Sequence, residues 1–278
     1  MINELKTEGN FNYTVRSDID SLAQDIIDIA EISKSVGIDC WLNYGALLGI
    51  VRENRLLPWN NDAEISCWYT DGIEKRLVQL TDKLNNLGYN CFYYSSIGSL
   101  CIKHKNNIIN INCYFVEGNN VVRPHETASN NGKDPILARI FYWLAIFMCS
   151  YPQKELMSGF NISKSEFIKR LLINIFRIVP KKVRTFSFFK LISVSKFFGG
   201  KYEKTSIPKH FFDELVLKDF YSTQLLVPKK SKELLSFIYG ETWNIPKDNW
   251  SFYDNKNKST TKIKFIKEVF DYKKIDFV

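Results

Sequence analysis

Apolar residues recur at Ile19, Leu22, Ile26, Ile29, Ala30 and Ile32, a spacing near 3.6 that predicts an amphipathic helix over about 19–36. Ser17 or Asp18 caps it and Gly37 stops it. Ile38 to Tyr44 then read as a strand. Asp71 can cap a second helix from Ile73 to Leu87, with Gly88 as its stop. From Tyr89 the pattern turns to strands: Cys91 to Tyr94, Leu100 to His104, a turn at Asn106-Asn107, and Ile108 to Val116. Residues 118–134 are polar and read as loop. Pro135 to Tyr151 is almost wholly apolar but too short to span a bilayer, which needs about 20 residues, so a buried helix is expected, with a re-entrant or interfacial one as the alternative. Asn161 to Val179 sets Phe167, Leu171, Leu172, Ile175 and Val179 against Lys169, Arg170 and Arg177, a basic amphipathic helix. Pro228 opens a helix over about 229–238 that Gly240 ends, and a last helix is expected from Ile263 to Tyr272.

Chemistry concentrates between Trp41 and Trp68, WLNYGALLGIVRENRLLPWNNDAEISCW. This stretch reads as a strand, a tight turn at Gly45, a short helix opening at Ala46 to Leu48, and a second strand. Backbone N–H groups at Gly45 and Ala46 suit an anion, and the helix start would aim its positive end at it. Arg52 and Arg55 follow. In Asp62-Ala63-Glu64, period-2 geometry puts both carboxylates on one face. Two oxygen ligands side by side suit Mg²⁺ or Mn²⁺, which uses one or two protein carboxylates and fills its shell with water and phosphate oxygens.

The string G-A-L-L-G-I-V-R, then L-P-W, then N-N-D-A-E-I resembles the signature of the LicD family, which embraces fukutin and fukutin-related protein. That signature runs G-[TS]-L-L-G-x-x-R, a short spacer, then P-W-D-D-D-x-D. Gly45, Leu47, Leu48, Gly49, Arg52, Pro58, Trp59 and Asp62 match outright. Ala46 replaces Ser or Thr, Asn60 and Asn61 replace two acids, and Glu64 replaces the second Asp of the pair. A second block of resemblance spans Phe212 to Leu217, Val227-Pro228, Tyr239-Gly240 and Trp243 to Pro246.

The resemblance implies an α/β (α+β) fold of nucleotidyltransferase type, a mixed sheet flanked by helices. It implies transfer of phosphocholine or a polyol phosphate from a CDP-activated donor to a sugar of a cell-surface polysaccharide or lipid-linked glycan. Asp62, Glu64 and Asn112 fall at catalytic positions, with Asp62 and Glu64 as metal ligands. Gly45, Ala46, Arg52, Trp59, Asn61, Tyr239 and Gly240 fall around the substrate. Relatives carry a third acid in a hydrophobic-Asp-hydrophobic-aromatic motif, where this chain has Ile111-Asn112-Cys113-Tyr114. Asn112 carries no charge and cannot act as a general base, so Glu117 substitutes, activity is reduced, or catalysis is lost. Two alternatives follow: a catalytically degenerate member that binds a nucleotide or glycan, and a nucleotidyltransferase that uses an NTP.

Composition narrows the partners. The 278 residues are 45% hydrophobic and 15% aromatic, enough for a sizeable core, and no repeat or low-complexity linker divides them. One domain over 1–278 is expected, with a core of about 17–118, a helical insertion at about 135–200 and a closing region, largely helical, at about 205–278. Residues 1–130 carry 11 Lys or Arg against 16 Asp or Glu; the remainder carries 27 against 14, so the basic half wants an anionic partner. No nucleic-acid recognition motif is present, and a Phe-rich tail beside the basic helix, Phe186, Phe188, Phe189, Phe197 and Phe198, suits an anionic membrane surface. The cysteines lack C-x-x-C spacing and read as small core residues. No N-terminal hydrophobic run precedes the first helix, so the expected location is a reducing cytoplasm, peripheral to the inner face of a bacterial plasma membrane. The three histidines form no constellation, and the marks of serine hydrolases, Rossmann domains and P-loops are missing.

Overall fold

A computed structural model describes residues 17–60, 62–94, 99–128, 135–148, 178–180, scattered positions between 183 and 199, 202–246 and 264–267. In chain order the elements are helix α1 (Ile19–Ser35), strand β1 (Trp41–Asn43), α2 (Tyr44–Glu53), β2 (Ala63–Trp68), α3 (Ile73–Asn86), β3 (Asn90–Tyr94), β4 (Ser99–His104), β5 (Asn107–Glu117), β6 (Asn120–Ala128), α4 (Ile136–Met148), β7 (Tyr202–Pro208), β8 (Leu215–Phe220), β9 (Thr223–Pro228), α5 (Ser231–Tyr239) and β10 (Lys264–Lys267). The strands form a mixed sheet in the order β10-β7-β6-β5-β2-β1-β9-β8, with the β3–β4 hairpin also attached to β5. It is a mixed α/β sheet flanked by helices.

Strand β5 organises the sheet. Along one edge it pairs in parallel with β2, Glu64 against Asn110 and Ser66 against Asn112. Along the other it pairs first with β4 and then, from Phe115 to Glu117, with β6. Alternation gives β1, β2 and β5 two unlike faces. One carries Leu42, Ala63, Ile65, Cys67, Ile109, Ile111 and Cys113, all buried. It lies under α1, and the Cys67 and Cys113 sulfurs sit 3.4 Å apart as paired residues. The other carries Trp41, Asn43, Glu64, Ser66, Trp68, Asn112 and Tyr114. Its aromatic members gather on Phe212, with Trp41 and Trp68 centroids 5.1 Å apart and Trp41 and Phe212 5.9 Å apart.

A polar clasp joins α1 to the sheet. Asp25 is 4% exposed, and its carboxylate accepts from His104 Nδ1 at 2.8 Å, Asn107 Nδ2 at 2.6 Å and the Tyr89 hydroxyl at 3.2 Å. Three donors from three segments converge on one buried anion, which fixes the helix over the β4–β5 hairpin. His104 is therefore a packing residue.

The first helix begins at the expected Ile19, and the Gly37 N–H closes it on Lys34 O. Several expectations need correction. Strand β1 is three residues long, and Tyr44 opens α2 instead of ending the strand. Asp71 does not cap α3; Gly72 holds the N-cap position without a side-chain bond. The β4–β5 turn falls at Lys105-Asn106, with Lys105 at φ 51°. Residues 120–128, read as loop, form β6, in which Pro124 is the partner of Lys204 just before the β6–β7 register becomes irregular. Where the last helix is expected, Lys264–Lys267 form β10, which pairs with β7; the rest of 263–272 lies outside the described residues. The closing region carries β8 and β9 as a hairpin beside the one helix α5. Helix α4 is less buried than expected: Ala138 and Ala145 are covered, but Ile136, Leu137 and Ile140 are exposed. The basic helix of 161–179, apart from its last two residues, lies outside the described residues, as do Phe186, Phe188, Phe189 and Cys149. The other five cysteines are free and buried.

Replacing Asp25 with Ala removes the shared acceptor of three donors, of which Tyr89 keeps Asp28 and Asn107 keeps Ser21, so the variant should lose about 2 kcal/mol of stability, read as a lowered urea midpoint with an unchanged m-value.

Candidate active site

The site grows from the junction of β1 and α2. Asn43 is fully buried, and its side chain is spent on three neighbours: Oδ1 accepts from the Tyr44 N–H at 2.9 Å, while Nδ2 donates to Ser66 Oγ at 3.0 Å and to the Tyr114 hydroxyl at 2.9 Å. The Tyr114 hydroxyl donates in turn to the Tyr44 hydroxyl at 3.1 Å. Tyr44 has φ 44°, a conformation costly for a residue with a side chain, and this network holds it there. The expected glycine turn is thus absent. An αL tyrosine performs the reversal, and Gly45 is the second residue of α2.

Register places the start of α2 beside the carboxylate pair. Asn43 pairs directly with Glu64, so the first N–H groups of the helix, those of Gly45 and Ala46 included, open next to that residue. Gly45 is needed for space: a Cβ there would stand 2.8 Å from Asn60 Nδ2. Gly49 is tighter, since its Cβ would meet the Arg55 carbonyl oxygen at 2.5 Å. The two glycines let the chain after α2 fold back against the helix, which brings Asn60 and Asp62 to its N-terminal end.

Asp62, exposed, precedes β2, and Glu64 is its second residue, with a side chain 25% exposed. Loss of solvent raises both carboxyls above their ordinary range, and the Arg123 guanidinium opposes the rise. Arg123 Nη1 lies 3.2 Å from Glu64 Oε1, and Asn112 Nδ2 lies 3.4 Å from the same oxygen. Asn112 Oδ1 accepts from Ser99 Oγ at 3.1 Å. Tyr239, at the end of α5, is buried and senses the charges of Glu64, Asp62 and Arg52; burial keeps its hydroxyl and those of Tyr44 and Tyr114 protonated.

The structure thus brings Asp62, Glu64, Asn112, Gly45, Ala46 and Tyr239 to one end of the sheet. Trp59 is half-buried against the core, and Gly240 caps α5 with φ 88°. Arg52 takes a different place from the one its spacing suggested. Its guanidinium grips Glu53 Oε1 at 2.7 Å and reaches the Trp243 carbonyl at 3.5 Å, so it ties α2 to the segment after α5. Asn61 lies outside the described residues. Glu117 stands at the far end of β5, an odd number of residues from Asn112, and alternation sends it to the other face.

Arg123 escaped the sequence reading because its segment passed for loop. Pairing of Phe115 with Val122 puts Arg123 one step on, opposite Tyr114 and on the site's face. A signal existed: Asn120-Val121-Val122-Arg123 after Gly118-Asn119 is a hairpin return with a charge where alternation makes it face inward.

For a divalent cation, the donor chemistry fits at its minimum. Two carboxylates match the number Mg²⁺ takes from protein, while among the described residues no group of three or more His, Cys, Asp or Glu could hold an ion.

Two outcomes follow. Gly49→Ala forces backbone apart and should cost about 2 kcal/mol, whereas Gly45→Ala meets only the end of a side chain and should cost well under half of that; chemical denaturation compares them. Asp62 has a raised folded-state pKa, so its contribution to stability is present in full below the ordinary aspartate value of 3.8 and is lost as pH rises through the folded value. Asp62→Asn mimics the protonated form. It should therefore melt higher at pH 7 in chelator, by no more than about 2 °C because the group is exposed, and the gain should vanish below pH 4 by calorimetry.

No curated protein matches the chain. Among solved structures it is similar to a crystal structure of ANT(2″)-Ia in complex with adenylyl-2″-tobramycin, at 11% identity over 64% of this chain and 97% of that one, with a TM-score of 0.28. A solution structure of the antibiotic-resistance factor ANT(2″)-Ia gives 11% identity over 64% and 93%, with a TM-score of 0.29. Likeness at that level carries no argument about this chain. Residues 37–132, which hold β1, α2 and the carboxylate pair, match the family model LicD, described as LicD/FKTN/FKRP, nucleotidyltransferase domain, and this is the family that the sequence resembles.

Proposed function

We propose that the chain is a LicD-type phosphotransferase that moves phosphocholine or a polyol phosphate from a CDP-activated donor to a sugar of a cell-surface polysaccharide or lipid-linked glycan. The observation that carries this reading is the placement of Asp62 and Glu64 beside the opening turn of α2, within the segment that matches the family. Mg²⁺ or Mn²⁺ held by these two carboxylates would neutralise charge on the donor's diphosphate and on the departing CMP.

The rest of the work falls to the chain itself. The N–H groups of Gly45 and Ala46 offer an anion fixed donors and the positive end of a helix. Tyr239, kept protonated by burial, is a neutral hydroxyl near both carboxylates. Asn112 cannot take the proton of an acceptor hydroxyl, so the bases at hand are Asp62 and Glu64. The clasp of Arg52 on Glu53 and Trp243 holds the closing segment over this end of the sheet. The net charge of +13 on residues 131–278 supports attachment at the inner face of a bacterial membrane, where lipid-linked acceptors are built. Among the described residues no helix is long and apolar enough to cross a membrane.

A second reading, a member that binds donor or glycan without turnover, is favoured by the amide of Asn112 and the guanidinium of Arg123 on Glu64, where relatives carry a third acid. Asp62→Ala separates the two. It should lower transfer from CDP-choline, CDP-glycerol or CDP-ribitol by roughly a thousandfold while circular dichroism is unchanged. Turnover equal to wild type ends the first reading. Calorimetric binding of these donors that ignores Mg²⁺, with no transfer, supports the second.

A further inference from the structure

Arg123 stands where an ion bridging Glu64 and position 112 would have to sit. Its side chain is 19% exposed, and its Nη1 is 3.2 Å from Glu64 Oε1. The same oxygen faces Asn112 Nδ2 at 3.4 Å, and the amide oxygen of Asn112 is turned away to Ser99 Oγ. On this side Glu64 therefore meets two N–H donors and no lone pair that could complete a cation's shell. The backbone that carries the guanidinium is also held in place. Arg123 pairs with Thr205 across β6 and β7, and the Thr205 hydroxyl donates to its carbonyl at 3.4 Å. An arginine does not lose its proton in proteins, so the charge is permanent.

Asp62 is different. It is exposed, and the charge of Arg123 reaches it without a hydrogen bond or ion pair between the two among the described contacts. A cation can approach the pair from the Asp62 side, using that carboxylate and the remaining oxygen of Glu64. Sites that hold two metal ions use both as a clamp on the attacking and leaving oxygens. Here one of those positive charges is already supplied by protein.

We propose that Arg123 is a built-in cation of this site, so that the chain takes up one divalent ion, on Asp62 and Glu64, and not two. The inference rests on the metal-dependent reading above, but its test does not require turnover. Mn²⁺ uptake by the full chain, followed by the loss of the free-ion signal in electron paramagnetic resonance, should saturate at one ion. Arg123→Gln removes the opposing charge and should bind Mn²⁺ about tenfold more tightly, while Arg123→Lys keeps the charge and should stay near wild type. Arg123→Gln combined with Asn112→Asp should take a second ion.

Two ions on wild type overturn the proposal without recourse to any variant, as does an Arg123→Gln affinity within about twofold of wild type in a protein with a native melting profile. Uptake by Arg123→Gln but not by wild type also overturns the proposal, because the guanidinium would then exclude the single ion assigned to Asp62 and Glu64. One ion bound with no transfer from any CDP donor leaves the inference standing and fails the function. No uptake by any of the proteins overturns the inference, and the Asp62→Ala assay then judges transfer separately.

Discussion

A carboxylate that loses its water must find a positive charge, and at Glu64 that requirement shapes everything around it. Strand β2 carries the carboxyl into a half-buried position, and burial alone would push it toward the neutral acid. Arg123 meets it from β6, Asn112 from β5, and the start of α2 lies beside it through the pairing of Asn43 with Glu64. None of these partners is local in sequence. The register of the sheet delivers them, and the parallel pairing of β2 with β5 is the step that sets the others.

The same face of the sheet buries three polar side chains together with their partners. Asn43, Ser66 and Tyr114 have almost no exposure, yet each is accounted for in a chain that ends on the Tyr44 hydroxyl. That chain also holds Tyr44 in its left-handed conformation. A helix that begins immediately after a strand needs a sharp reversal, and here a tyrosine makes it while its hydroxyl stays bonded beneath the site. The strain is placed where it fixes the direction of the first N–H groups of α2, which is where an anion would be received.

Much of this was legible from residues alone, for identifiable reasons. The 3.6 spacing of α1 and the alternation of β3 to β5 are local signals, and the string from Gly45 to Glu64 is a specific motif. The errors came where distant contacts overrule local pattern. Tyr44 looks like a strand residue until Asn43 is seen to cap the next helix. Pro124 argues against a strand until it is seen paired with Lys204 beside a register irregularity. Lys264 to Lys267 joins a helical pattern in sequence and a strand in space, because β7 offers it an edge. Arg52 matches a motif position, yet Glu53 and Trp243 take up its guanidinium, a use that no spacing rule reveals.

The replacement of an acid by Asn112 takes on a different meaning beside Arg123. A third carboxylate at that position would stand against Glu64, and repulsion between the two would call for another cation. With an amide there, the nearby groups need only one, and a guanidinium carried on β6 supplies it. The amide of Asn112 and the guanidinium of Arg123 are thus two halves of one electrostatic arrangement: without the arginine, the partly buried carboxylate of Glu64 would lack its opposite charge. What such an arrangement gives up is a base at position 112. What it gains is a guanidinium that opposes the rise that burial imposes on the Glu64 carboxyl, and so a site whose geometry does not wait for an ion to assemble it.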